Sequence, residues 1–243
     1  GSSIVTMLAV GSVMLPALMN NGYPGRFSLG LVMAGGTLGI VIPPSVPLII
    51  YGLVTETSIT DLFIAGIGPG ILLLTVFAGY SMWVNRHLPT KPFSMAQLLQ
   101  ALRRGVWALM MPVILLGGIY TGWFSATEAA AVGLLYALLV EIFIHREMRL
   151  PEFGSVMLEA AKLGGTFFPL LAAAMSLNLV LTEHRVPEAM VQWAQQYIHS
   201  PLAFMLIVNA LLLAVGCLVT TGEAILILAP LLAPLAVAYG YDP

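Results

Sequence analysis

Charged side chains are so sparse along this chain that they divide it into long apolar blocks. Charge-free stretches run over 27–55 (between Arg26 and Glu56), 62–85 (Asp61 to Arg86), 105–127 (Arg104 to Glu128), 163–182 (Lys162 to Glu183) and 200–222 (His199 to Glu223). Two more complete the set: 129–144, broken only by Glu141 near one end, and 224–241. About 20 mostly apolar residues cross the hydrocarbon core of a bilayer. Lipid offers the backbone no hydrogen-bond partner, so each block is predicted to be helical.

Two shorter elements carry a one-sided pattern. From Pro187 to His199 the sequence places Met190, Trp193, Ala194 and Tyr197 on one helical face, with Gln192, Gln195 and Gln196 elsewhere. That predicts a helix lying in the outer interface. From Ser94 to Leu102, Met95, Leu98, Leu99 and Leu102 recur at i, i+3, i+4 and i+7, which predicts a surface stretch leading into Arg103 and Arg104.

Composition agrees. Of 243 residues, 59% are apolar and 8% charged, against about 25% charged in a soluble domain. Mean hydropathy is +0.97. The net charge of -2 gives no reason to expect nucleic acid as a partner. One cysteine, Cys217, excludes a disulfide framework and a Cys-based metal site. The expected class is an all-α polytopic membrane protein. The chain opens on Gly1-Ser2-Ser3 with no basic leader, so no signal peptide is expected. Both ends read as cut from a longer chain.

Lys and Arg fix the orientation. With Arg26 inside, successive crossings bring Arg86, Lys91, Arg103, Arg104, Arg146, Arg149 and Lys162 to the same side. Eight of the nine basic residues then fall inside and only Arg185 falls outside.

An internal repeat joins the two ends. Ser2-Ser3, Pro16 and Gly22-Tyr23 are matched by Thr220-Thr221, Pro234 and Gly240-Tyr241 at one offset of 218 residues. On the predicted topology the copies face opposite ways. Inverted repeats with interrupted helices are the architecture of secondary transporters, with the site near the midplane.

The interruption is visible in 27–55. Gly35, Gly36 and Gly39 are followed by Pro43, Pro44 and Pro47. Prolines lack the N–H donor, so carbonyls one turn earlier, near Gly39, Ile40 and Pro43, lose their partners. One reading makes these oxygens, with the hydroxyls of Ser2 and Ser3, a cage for a hard cation such as Na+. The other is a kinked structural helix whose backbone is satisfied by Thr37 and Ser45. The helices starting after Ser3 and after Thr221 would point positive ends at a common cavity, which suits a carboxylate. Ser3, Pro43, Ser45 and Thr221 are the candidate substrate residues.

These residues resemble a known family. Gly1-Ser2-Ser3, Gly11-Ser12, Pro16 and Gly22-Tyr23, the run from Gly36 to Ser45, the run from Ser58 through Pro69-Gly70, and the run from Gly118 to Val132 are similar to the large membrane subunit of tripartite ATP-independent periplasmic (TRAP) transporters. The resemblance implies an ion-transporter-superfamily fold with re-entrant hairpins, a broken transmembrane helix and an elevator-type transport domain on a scaffold. Residues 1–55 would hold the first hairpin leg and the broken helix. Residues 56–185 would be largely scaffold, and 186–243 would hold the interfacial helix and the second re-entrant hairpin. It implies Na+-coupled import of an organic acid delivered by a periplasmic binding protein, with a small four-helix membrane subunit as partner, in the bacterial inner membrane. By position, Ser3 with backbone oxygens near Gly39, Ile42 and Pro44 would form one sodium site, and Thr220, Thr221 and Gly222 a second. Where the family carries an acidic or amide residue near the second tip, this chain reads Gly216-Cys217-Leu218-Val219-Thr220, with Glu223 beyond.

Other polar residues are expected to be structural. His87, His145, His184 and His199 sit at segment ends. Ser125 and Glu128 have the spacing of a helix cap. Glu141 lies one turn from Arg146 and is expected to snorkel inward. No nucleophile, metal or nucleotide motif is present, so an enzyme and a cofactor other than the coupling ion are not expected. A single-component carboxylate symporter and, less favoured, an ion channel are the competing readings.

Overall fold

A computed structural model describes residues 3–88, 94–146 and 150–241. Of the residues named above, Gly1, Ser2, Lys91 and Arg149 lie outside the described residues. The chain is an all-α polytopic membrane protein. Its helices are α1 (Ser3–Asn20), α2 (Gly25–Val41), α3 (Val46–Thr55), α4 (Ile59–Val84), α5 (Met95–Tyr120), α6 (Ala126–Leu139), α7 (Leu150–Glu183), α8 (Val186–Tyr197), α9 (Pro201–Gly216) and α10 (Thr221–Ala238). Six spans among the described residues are long and apolar enough to cross a bilayer: Gly25–Thr55, Ile59–Val84, Met95–Tyr120, Ala126–His145, Glu152–Glu183 and Thr221–Ala238. Large apolar residues such as Leu8, Leu72, Leu163 and Leu213 stay exposed, as helices solvated by lipid require.

Packing groups the chain into two compact units, Gly1–Leu48 with Ile59–Leu150, and Ile49–Ser58 with Pro151–Pro243. In the first unit, α1 runs against α2 and α4 packs on α2. An aromatic ladder, Tyr23–Phe27–Tyr80–Trp83, joins the turn after α1 to α2 and α4, with centroid spacings of 6.1, 6.3 and 6.4 Å. It lies near Arg26 and Arg86 in sequence, where an interfacial aromatic belt is expected. Helices α5 and α6 form a second pair, tied by the Tyr136 hydroxyl donating to the Trp107 carbonyl at 2.7 Å.

In the second unit, α8 turns into α9 through a bend of 119°. The legs of the α9–α10 hairpin are clamped at their base. Phe204 stacks on Tyr239 with ring centroids 4.3 Å apart and planes 9° apart. The Tyr239 hydroxyl donates to the Ile198 carbonyl at 2.8 Å, and the Tyr241 hydroxyl donates to the Pro201 carbonyl at 3.1 Å. Ala194, Phe204 and Leu235 form the buried cluster beneath.

Several elements differ from expectation. The surface stretch over Ser94–Leu102 is not separate: it is the start of the 26-residue α5. Nothing between Leu102 and Gly105 breaks a helix, and Arg103 and Arg104 are good helix formers. Helix α7 likewise continues the block 163–182 back to Leu150, giving 34 residues. The crossing after α5 ends in a π-helical turn, Val140–His145. There Glu141 pairs with His145 at 3.2 Å, and Arg146 adopts a left-handed conformation at the C-cap. On α8 the predicted face divides: Ala194 is buried with Met190 packed on it, while Trp193 and Tyr197 are exposed and contact each other. The capping box predicted at Ser125 and Glu128 is present with both reciprocal bonds.

The sequence repeat has a local structural counterpart. Helices α1 and α10 are each 18 residues long and begin and end at the same offset of 218. Each is followed by a glycine with positive φ, Gly22 at 86° and Gly240 at 82°. Only glycine takes that conformation without cost.

Candidate functional site

The span Gly25–Thr55 is broken where the prolines predict. Helix α2 stops at Val41, Ile42 turns to an extended conformation, and α3 resumes at Val46. The Pro43–Pro44 peptide bond is cis. Pro43 and Pro44 have no N–H to offer Gly39 and Ile40 one turn back. For Ile40 the chain supplies a substitute: the fully buried Ser45 hydroxyl donates to its carbonyl at 2.5 Å. Of the three carbonyls expected to be bare, Ile40 is therefore capped, and Ser45 serves the backbone. Thr37 donates to Ala34, inside its own helix.

Gly39 receives no such help, and a different residue faces it. A Cβ built on Gly39 would run into Thr6 of α1, its hydroxyl oxygen first. One turn away, a Cβ on Gly36 would stand 3.1 Å from the Ser3 carbonyl oxygen and 3.4 Å from Met7. A Cβ on Gly11 would come within 2.7 Å of Val32. The two helices therefore run antiparallel in close backbone contact, with glycines at the crossing. Ser3 lies against Gly36, and the hydroxyl beside Gly39 belongs to Thr6. No hydrogen bond to the Thr6 side chain is found among the described residues.

Helix α4 closes the other side. A Cβ on Gly66 would stand 2.8 Å from the Val41 carbonyl oxygen, and one on Gly70 would stand 2.7 Å from the Ile42 side chain. Two glycines one turn apart let α4 lie directly on the break. Pro43 is buried there, Pro44 is half-buried and Ile42 is exposed.

The hairpin tip of the second unit is the loop 217–220. Thr221, Gly222 and Glu223 form the first turn of α10. Thr220 and Thr221 are exposed, and a Cβ on Gly222 would just touch Phe167 of α7 at 4.0 Å. Below the tip the legs part around a cavity of about 570 Å³. Its lining includes Tyr51, Phe204, Leu212, Thr221 and Leu228, so it is mostly apolar. A second cavity of about 790 Å³ in the same unit is more polar, bordered by Thr55, Glu56, Asn178, Thr182, Glu188 and Gln192.

The sequence profile described as "Tripartite ATP-independent periplasmic transporter, DctM component" matches residues 1–243. The chain belongs to that family. It is 42% identical over its whole length to the C4-dicarboxylate TRAP transporter large permease protein DctM of Pseudomonas aeruginosa, of which it covers 58%. It is 36% identical to the isethionate TRAP transporter permease protein DctMQ of Oleidesulfovibrio alaskensis, covering 39% of it. It is 35% identical to the ectoine/5-hydroxyectoine TRAP transporter large permease protein UehC of Ruegeria pomeroyi, covering 58%. The DctM-family chain thus spans about 58% of the length of most of these relatives, and it is a multi-pass protein of the inner membrane.

Within this DctM-family chain, Gly39, Ile42 and Pro44 border the break in α2–α3 and Ser3 lies against Gly36, all in the first unit. Thr220, Thr221 and Gly222 belong to the second unit. Sequence reasoning did not find Thr6, nor the close packing at Gly36, Gly66 and Gly70. The usable signal was the three-residue step from Ser3 to Thr6, matched by the same step from Gly36 to Gly39.

Proposed function

We propose that this chain is part of the large permease of a Na+-coupled secondary transporter. It imports an organic acid handed over by a periplasmic binding protein, with a small four-helix membrane subunit as partner. The break in Gly25–Thr55 carries this reading. There the Gly39 carbonyl has lost its helical donor, and the Thr6 hydroxyl of α1 lies against Gly39. Non-helical backbone at membrane depth is tolerated where it binds something or is buried in protein, and oxygen-only ligands suit a hard cation. Ser2, Ser3, Gly39, Ile42 and Pro44 hold one sodium ion, and Thr220, Thr221 and Gly222 take part in a second. The substrate carboxylate lies near Ser3 and Pro43, facing the start of α1. The segments that carry the two 18-residue helices move against the scaffold in an elevator step.

Whole-chain membership of the DctM family supports the carboxylate assignment, since several relatives are named for C4-dicarboxylates. Reconstitution of the full-length permease with its membrane partner tests it. Uptake should require an inward Na+ gradient and the binding protein together. Full uptake without the binding protein would establish a single-component symporter, and unitary currents would establish a channel. Uptake indifferent to Na+ would end the coupling claim.

A further inference from the structure

We propose that the first three turns of α5 bind an anionic phospholipid of the inner leaflet, with the lipid phosphate held by Arg103 and Arg104. This site stands apart from the Na+-coupled reading above. At about 1.5 Å per residue the 26 residues of α5 span about 39 Å, more than the roughly 30 Å of hydrocarbon in a bilayer. One side of the helix stays apolar throughout that length. Met95, Leu98, Leu99 and Leu102 continue along the same face as Val106, Leu109, Met110 and Val113, all of them exposed. Helix α6 packs on the opposite side, where Gly133 meets Leu115 and the Tyr136 hydroxyl reaches the Trp107 carbonyl. A stretch of helix standing in water would carry polar residues on such an uncovered face. The unbroken stripe means that lipid still covers α5 at Met95.

Charge then identifies the lipid. Gln97, Gln100 and Arg104 stand at i, i+3 and i+7 on the side away from the stripe, and Arg103 borders the stripe one turn after Leu99. Arg103 lies about 12 Å along the helix from Met95, so its guanidinium must extend towards the headgroups from a lipid-covered segment. A cation in that position calls for an anion. The protein supplies none: neither arginine has an ion pair or a hydrogen bond among the described residues. Glu141, in the π-helical turn after α6, is taken up by His145. On the positive-inside orientation this end of α5 is cytoplasmic, and phosphate is the anion that the inner leaflet offers there. Two guanidinium forks present donors only, which suits phosphate oxygens. The acyl chains run along the leucine stripe, so one molecule accounts for both the charge and the uncovered apolar face. A zwitterionic lipid brings its own cation to the phosphate, which favours a lipid with net negative charge.

The test places the full-length permease, with and without its small membrane subunit, in nanodiscs of phosphatidylcholine alone or of equal parts phosphatidylcholine and phosphatidylglycerol. Phosphatidylglycerol should raise the melting temperature of the wild type in both preparations. The R103Q/R104Q variant should lose at least half of that rise. R86Q, which removes an inner-side arginine outside α5, should keep it. If the double variant does not fold, R103Q alone decides by the same criterion. No rise in the wild type, an undiminished rise in the variant that decides, or an equal loss in R86Q overturns the proposal. A rise that disappears once the small subunit is bound assigns the stripe to that subunit and overturns lipid as its occupant. A rise reproduced by inorganic phosphate in phosphatidylcholine nanodiscs assigns the arginines to a free anion, which overturns it as well.

Discussion

Thr6 of α1 lies over Gly39 of α2 so closely that the glycine has no room for a methyl group. Gly39→Ala should therefore push α1 off α2. Overpacking of this kind costs about 1–3 kcal/mol. Lower thermal stability and reduced uptake in the full-length permease are expected. Thr6→Ala in the same molecule should restore stability, because it removes the clashing atoms. Failure of the double variant to recover would show that the crowding lies elsewhere.

Ser45 is buried at the break, where its hydroxyl donates to the Ile40 carbonyl. Ser45→Ala leaves that carbonyl without a donor. An unsatisfied buried acceptor costs about 1–3 kcal/mol. Thermal unfolding of the purified permease measures the loss. A melting temperature equal to wild type would mean that another group, or water, serves Ile40.

Gly66 and Gly70 of α4 face different neighbours. At Gly66 an added methyl meets the Val41 backbone carbonyl at 2.8 Å; at Gly70 it meets Cγ1 of the Ile42 side chain at 2.7 Å. A side chain turns away more readily than a backbone. Gly66→Ala should accordingly destabilise more than Gly70→Ala. Gly35→Ala, with nothing within 4 Å, should change stability by less than about 1 kcal/mol. Melting temperatures of the three variants give the order directly.

The Phe204–Tyr239 stack and the Tyr239 hydroxyl bond hold the base of the α9–α10 hairpin. Tyr239→Phe keeps the stack and loses the bond, costing about 0.5–1.5 kcal/mol. Phe204→Ala loses the stack and opens a cavity, costing about 3–5 kcal/mol. Hydrogen exchange at residues 201–216 should rise modestly in the first variant and sharply in the second. Equal exchange in both would count against the stack as the main clamp.

The parts of this fold that were legible from sequence are those decided locally. Pro43 and Pro44 break a helix wherever it lies, and Ser125 with Glu128 caps one because three residues separate them. The offset of 218 matched features along the chain and predicted helix ends that coincide. What stayed hidden depends on partners distant in sequence. Gly39 and Gly66 look like any flexible glycines until α1 and α4 come to rest on them. Phe204 and Tyr239 meet only because the hairpin folds back on itself. The extents of α5 and α7 were missed because charge, the marker used to bound each block, does not stop a helix.

The equal lengths of α1 and α10 set a constraint on the chain's phase. Each inserted residue turns everything beyond it by about 100°, so a single insertion in α1 would swing Thr6 away from Gly39 and leave its methyl and hydroxyl in hydrocarbon. Outward side chains such as Leu8 can be exchanged for other oily ones with little effect, whereas the residue count between tip and turn leaves no such latitude.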